Sequence, residues 1–152
     1  MATIFVNGCF DLLHEGHKRF LTAAKGLGYR GGFHISDWEQ TVIHNRLIVA
    51  INSDEYARKL KADKWGPGYP KDDERTRAMK LRHYADEVYI FESEDMLKAL
   101  IDAHSPCILC KGPDYAGKRV TGDDIAPVLI LDTPETEEVR QFKEKAYARP
   151  KC

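Results

Sequence analysis

The sequence lacks an excess of charge of either sign. Its 152 residues carry 23 lysines and arginines against 24 acids, a net charge of -1. No broad field is available for a nucleic-acid duplex or an anionic membrane surface, so neither partner is expected. No apolar run approaches the roughly 20 residues of a membrane-spanning helix. The opening MATIFVNGCF has no basic n-region and too short an apolar run for a secretory leader, and the expected location is cytoplasmic. Cysteine is sparse: Cys9, Cys107, Cys110 and Cys152. Cys107 and Cys110 form one isolated CxxC, and a zinc site would need a second ligand pair at suitable spacing. With Ile108 and Leu109 between them, they fit a buried strand better, and no metal ligands are assigned.

What is present is an ordinary globular balance of 43% hydrophobic and 31% charged residues, enough for one domain with a real core over residues 1–152. Near-continuous apolar runs recur: TIFVN (3–7), LIVAIN (47–52), EVYIF (87–91), CILCK (107–111) and PVLILD (127–132). Between them lie helical patterns: one from Glu15 or Gly16 to Lys25, EYARKLK, one opened by Asp72 or Asp73 and running to Tyr84, and MLKALIDAH capped by Ser93. A last helix falls in the C-terminal segment 132–152. Strands apolar on both sides and alternating with helices predict an α/β fold, a Rossmann-like parallel sheet with helices on both faces. Residues 28–45 break the alternation and read as an insertion, with a short helix over Asp37–Ile43. Ligands of such sheets sit at the carboxyl ends of the strands.

The turn after the first strand, GCFDLLHEGH from Gly8 to His17, is neither a Walker loop nor a dinucleotide fingerprint, since it carries no GK[ST] and no GxGxxG. It does combine a helix N-terminus, whose amides attract anions, with glycines at 8 and 16 that clear room for a phosphate. His14 and His17, three apart, lie on nearly the same side of one turn. The spacing alone supports a phosphate clamp and a plain helix start with two surface histidines about equally. A metal site would want a third ligand, for which Asp11 is the near candidate.

GCFDLLHEGHKRFLTAAK is similar to the opening of the HxGH nucleotidyltransferases, a cytidylyltransferase-like superfamily of pattern GxFDxLHxGHxxxLxxAK. VAINSDEYARKLK, DDERTRAMKLRHYADEVYIF and CKGPDYAGKRVTG resemble, in order, that family's later segments. The resemblance implies the nucleotidyltransferase type of Rossmann-like fold. It also implies transfer of a nucleoside monophosphate from ATP or CTP to a phosphorylated sugar or polyol, with release of pyrophosphate. His14 and His17 would then hold the triphosphate, and Lys61 would reach the phosphates, with Lys59 and Lys64 as its alternatives. Gly8, Cys9, Phe10, Asp11 and Gly16 would complete the first loop. Lys111, Gly112 and Asp114 would lie over base and ribose, and Thr136 near the terminal phosphates. Arg75 would serve the same layer as a phosphate or structural partner. Mg²⁺ would bridge the phosphates with few protein ligands.

Two branches fit: the adenylyltransferases that make ADP-heptose, to which LK at 60–61, PKDDERTR and KGPDY are most similar, and glycerol-3-phosphate cytidylyltransferase, which FDLLHEGH resembles as much. The resemblance leaves a homodimer open. It departs at LDTPETEEVRQF, where the family has a Ser/Thr-rich helix start. Glu135, Glu137 and Glu138 stand where a triphosphate would want neutral or positive groups. A binding or regulatory module that keeps the fold without catalysis is the reading that this acidic segment favours and the intact HxGH opposes; a structural subunit of a larger enzyme is a third.

Overall fold

The computed structural model describes residues 2–27 and 45–147; the insertion up to residue 44, with its short helix, and Cys152 lie outside them. Strands β1 (Ala2–Gly8), β2 (Asn45–Asn52), β3 (Glu87–Phe91), β4 (Ile108–Lys111) and β5 (Val128–Ile130) form one sheet in the order β3-β2-β1-β4-β5. Every pairing is parallel. Helices α1 (Glu15–Lys25), α2 (Asp54–Trp65), α3 (Glu74–Leu81), α4 (Glu94–His104) and α5 (Glu137–Ala146) complete the described elements, with one 3-10 turn at Pro113–Tyr115.

The strands are apolar throughout because side chains alternate between two covered faces. Ile4, Val6, Leu47, Val49 and Ile51 pack on one face with Leu21 and Ala24 of α1 and Leu81 of α3. Phe5, Ile48, Ala50 and Leu109 pack on the other with Leu97 and Ile101 of α4. Burying one such side chain fully is worth about 1.5–3 kcal/mol, so both layers hold the sheet. Cys110 is buried in the first of these layers, as a strand reading of CILCK expects, whereas Cys107 is exposed and lies just before β4, which begins at Ile108.

Local chemistry sets the helix ends. Ser93 Oγ accepts from Met96 N at 3.1 Å, and Asp73 Oδ1 accepts from Thr76 N at 2.7 Å, so each cap satisfies an otherwise orphaned amide. Some boundaries differ from the sequence pattern. Helix α2 continues past EYARKLK to Trp65, because the break needs the glycine and proline that follow. Helix α3 stops at Leu81 rather than Tyr84, and β2 begins at Asn45, the last residue assigned to the insertion. The Asn45 side chain explains this: its amide donates to Lys25 O and Leu27 O at 2.8 and 2.6 Å, tying the strand start to the end of α1.

From β1 the chain builds β2 and β3 to one side, then β4 and β5 to the other. Strand order therefore reverses between β1 and β4, where parallel sheets open a crevice at the strands' carboxyl ends. Asn7, Gly8 and Lys111 stand at that edge.

Candidate active site

A cleft of about 900 Å³ lies there, walled by the β1–α1 loop, α2, the turn after β4 and the start of α5. Its central feature is the histidine pair. His14 is the N-cap of α1, and its Nδ1 accepts from Gly16 N at 3.1 Å and His17 N at 3.3 Å. His17 Nδ1 in turn accepts from His14 N at 3.2 Å. Two imidazoles thus form a reciprocal capping box, a job more often done by Ser/Thr with Glu/Gln. The rings stack with centroids 3.6 Å apart and 16° between planes.

Two consequences follow from that capping. First, Nδ1 accepts in both rings, so each neutral imidazole carries its proton on Nε2. Both residues line the cleft, and the two Nε2–H groups form a matched donor pair. Second, the amides of His14, Gly16 and His17 are already taken. The sequence reading offered the helix amides to an anion; the imidazoles intercept them and present their own N–H groups in their place.

Burial, with Lys143 as the next cause, lowers His14 to a pKa of about 4. Burial and the adjacent His14 lower His17 to about 3. Both rings are therefore uncharged at neutral pH. An unfolded chain binds protons at these positions near pH 6.5, so between pH 6.5 and about 3 it binds more protons than the folded chain, and stability rises with pH there. Urea midpoints for the protein should fall as pH drops from 6.5 to 5, above the carboxylate range. The same scan of a His14→Asn, His17→Asn double variant should be flatter in that interval; an equal slope would show that the rings do not titrate as described.

Gly16 is needed by the ring above it. A Cβ there would stand 3.0 Å from His14 Cε1 and 3.1 Å from Nδ1. Alanine ordinarily favours a helix over glycine by about 1 kcal/mol. Gly16→Ala should instead displace the imidazole, and kcat should fall about tenfold, given that misplacement by about 1 Å costs about a hundredfold. Steady-state kinetics beside a thermal melt will separate lost geometry from lost fold. Gly8 is in a similar position: its missing Cβ leaves room for the Phe10 ring at 3.0 Å. Phe10 and Leu12 adopt left-handed backbone, φ 55° and 46°, a conformation that costs non-glycine residues energy and collects at functional loops. Burial of the Phe10 ring, edge-on to His17 at 5.2 Å, offsets that cost.

Asp11 anchors the loop. Its buried carboxylate accepts from Lys71 N and Asp72 N, both at 2.8 Å, and from Tyr147 Oη at 2.8 Å. Arg77, with a fully buried side chain, ties four segments together: it donates to Cys9 O (3.0 Å), Asn52 O (2.9 Å), Asp72 O (3.1 Å) and Asp54 Oδ1 (2.8 Å). At the opposite wall Lys111 is buried, donates to Asn7 Oδ1 at 2.9 Å, and lies 4.8 Å from the Tyr115 ring centroid. Burial lowers this ammonium to a pKa of about 8. The cleft thus places two neutral N–H donors above β1, with a buried ammonium on the β4 side and Lys61 and Lys64 on the β2 side.

The cytidylyltransferase-like family profile matches residues 5–126, from within β1 to the approach to β5. The chain belongs to the cytidylyltransferase-like family. It is a nucleotidyltransferase, as GCFDLLHEGH implied. Among curated relatives, the bifunctional protein HldE of Helicobacter pylori (strain P12) is 40% identical over 130 residues, 84% of this chain and 24% of that protein. HldE of Rhodopseudomonas palustris (strain HaA2) is 38% identical over 149 residues, 93% of this chain and 26% of that protein. The chain thus spans about a quarter of the length of these relatives. A solved structure, the lipopolysaccharide core biosynthesis protein from Thermoplasma volcanium GSS1, aligns with TM-score 0.62 at 22% identity over 89% of this chain and 99% of its own, a likeness of fold.

In this cytidylyltransferase-like chain, Gly8, Cys9, Phe10, Asp11, His14, Gly16, His17, Lys61, Lys111, Gly112 and Asp114 all lie on the cleft. Thr136 does not: its hydroxyl caps α5, accepting from Val139 N at 3.3 Å, while Thr133 and Glu135 stand on the wall. Arg75, expected in the phosphate or structural layer, is exposed on the outer face of α3; Arg77, two residues on, takes the buried place. Two of the three glutamates of the acidic segment have bases beside them. Glu135 pairs with Lys143 at 2.8 Å, and Glu137 with Arg140 at 2.5 Å. Sequence reasoning passed over Asn7, Asn52, Lys143 and the aromatic residues Trp65, Tyr69 and Tyr147. A usable signal was the asparagine ending each of the runs TIFVN and LIVAIN, at the edge of the sheet where ligands bind.

Proposed function

We propose that this chain transfers a nucleoside monophosphate from ATP to the phosphate of a small sugar, releasing pyrophosphate, with heptose 1-phosphate as the acceptor type. The observation that carries the reading is the pair of neutral imidazoles with Nε2–H donors on the cleft. An acceptor phosphate is already an oxyanion at neutral pH, so no strong general base is required. One of its oxygens attacks the α-phosphorus in line. The bond from that phosphorus to the α–β bridging oxygen breaks, and pyrophosphate leaves with the electron pair. Catalysis is then positioning and charge stabilisation. A neutral imidazole suits this work because it donates to the α and β phosphates as charge builds, without first losing a proton.

Lys61, from α2, serves the phosphates from the β2 side, and Lys111 with Asp114 serves the nucleoside from the β4 side. Pairing of Glu135 and Glu137 with Lys143 and Arg140 lowers the repulsion that an acidic segment would exert on a triphosphate, which supports catalysis over binding alone. The kinship with HldE proteins and the likeness to ADP-heptose-forming adenylyltransferases support ATP with an aldose phosphate. Among the described residues no group of three or more His, Cys, Asp or Glu side chains is placed to hold a metal ion, and both Asp11 oxygens are committed. Mg²⁺ would therefore be held mainly by the nucleotide's phosphates, with few ligands from the protein.

Pyrophosphate release should be measured with ATP and CTP, each against aldose 1-phosphates and glycerol 3-phosphate. ATP with an aldose 1-phosphate is expected to give the fastest release. Turnover confined to CTP with glycerol 3-phosphate would move the chain to the other branch, and no turnover with any pair would remove the catalytic reading.

A further inference from the structure

One wall of the cleft is unlike the rest. Trp65 ends α2, Tyr69 lies in the WGPGYP loop and Tyr147 follows α5. Their rings meet: Trp65 is 4.8 Å from Tyr147 and 6.4 Å from Tyr69, and Tyr69 is 5.7 Å from Tyr147. Tyr147 donates its hydroxyl to Asp11 Oδ2 at 2.8 Å, which fixes this wall to the β1–α1 loop. Tyr69 is buried, whereas Trp65 keeps part of its surface in the cleft. Over the Trp65 ring, 4.9 Å from its centroid, lies the ammonium of Lys64, an exposed side chain with no carboxylate paired to it among the described ion pairs. A cation already seated there marks that ring face as electron-rich and within reach.

This wall is on the β2 side of the histidines, across the cleft from Lys111 and Tyr115. We propose that Trp65, with Lys64, is the specificity-determining residue of the acceptor subsite, selecting a cyclic sugar phosphate over an open-chain polyol phosphate. The proposal rests on the transferase reading above. The C–H face of a sugar ring carries slight positive charge and is flat and rigid, so it complements the negative face of an indole. A three-carbon polyol offers no such face and loses more conformational freedom on binding. As the ring takes the indole face, Lys64 moves from it to the acceptor's phosphate. That draws the attacking oxygen toward Lys61 and the histidine pair.

The test uses the full chain with Trp65→Ala, Trp65→Phe and Lys64→Met. Pyrophosphate release is followed against aldose 1-phosphates and glycerol 3-phosphate, with thermal melts to verify folding. Trp65→Ala should raise KM for the aldose phosphate about tenfold or more and leave KM for ATP within about twofold. Trp65→Phe should recover most of the loss, and Lys64→Met should raise the same KM. An unchanged aldose-phosphate KM in folded Trp65→Ala overturns the proposal while the transferase reading stands; a wild-type preference for glycerol 3-phosphate overturns both the proposal and the sugar-phosphate acceptor.

Binding is measured separately in a Trp38→Phe background, which leaves Trp65 as the single tryptophan of the two in the sequence. Its fluorescence should change on addition of an aldose 1-phosphate and not of glycerol 3-phosphate. That response without any turnover would support the subsite and remove the transferase reading. No response would overturn the subsite.

Discussion

Replacing either His14 or His17 with alanine should lower kcat by about 10²–10³-fold, or about 2.7–4 kcal/mol, as loss of one oxyanion-type donor does elsewhere. Each ring has two jobs, and alanine removes both. Through Nδ1 each imidazole caps amides of α1, a contribution of about 1 kcal/mol to stability. Through Nε2 it donates into the cleft. Asparagine separates the two roles. It is a good N-cap, so His14→Asn should keep α1 close to wild-type stability while kcat stays depressed, because the short amide does not reach where the imidazole does.

The two rings stack and each orients the other, so the double alanine variant should lose less than the sum of the single losses. Steady-state kinetics paired with urea unfolding will read both effects. Near-wild-type kcat in either single alanine variant would end the assignment of these rings to the chemical step.

Arg77→Met should cost about 3 kcal/mol of stability, the low end for breaking a buried charge pair, because the Asp54 side chain keeps 28% of its surface exposed. Three carbonyls, of Cys9, Asn52 and Asp72, would lose a donor at once, and Asp54 would lose its cation. Lysine keeps the charge but has no planar fork for four acceptors, so Arg77→Lys should fall between wild type and Arg77→Met. Urea denaturation at pH 7 will show this as lower midpoints in that order. A loss below about 1 kcal/mol in Arg77→Met would mean the buried guanidinium is not the staple described.

Arg77 also shows where sequence reading stopped. Arg75 and Arg77 sit two apart in the same short helical run, ERTRAMKL, Arg75 between Glu74 and Thr76 and Arg77 between Thr76 and Ala78. One apolar neighbour is too weak a local signal to choose between them. The choice depends on which face of α3 meets the ends of β1 and β2, and only packing decides that. The same limit applied to Asp11, whose amide partners are 60 and 61 residues away, and to Lys111, whose partner Asn7 is 104 residues away.

Thr136 has a local use as well: its hydroxyl caps α5, and it does not line the cleft. The helix amides of α1 are engaged in a similar way, because two histidines three apart can reach back to the backbone as well as outward.

The sequence by itself determined the parallel sheet, the helices between its strands, the cap at Ser93, and the loop GCFDLLHEGH at a strand's carboxyl end. These rest on interactions a few residues long, or on a hydrophobic pattern that two buried faces impose directly. Only the tertiary structure decided which donors face the cleft, which arginine is buried, and that Trp65 stands on a wall with Tyr69 and Tyr147. Those depend on side chains brought together from distant segments, and folding the sheet is what brings them within reach.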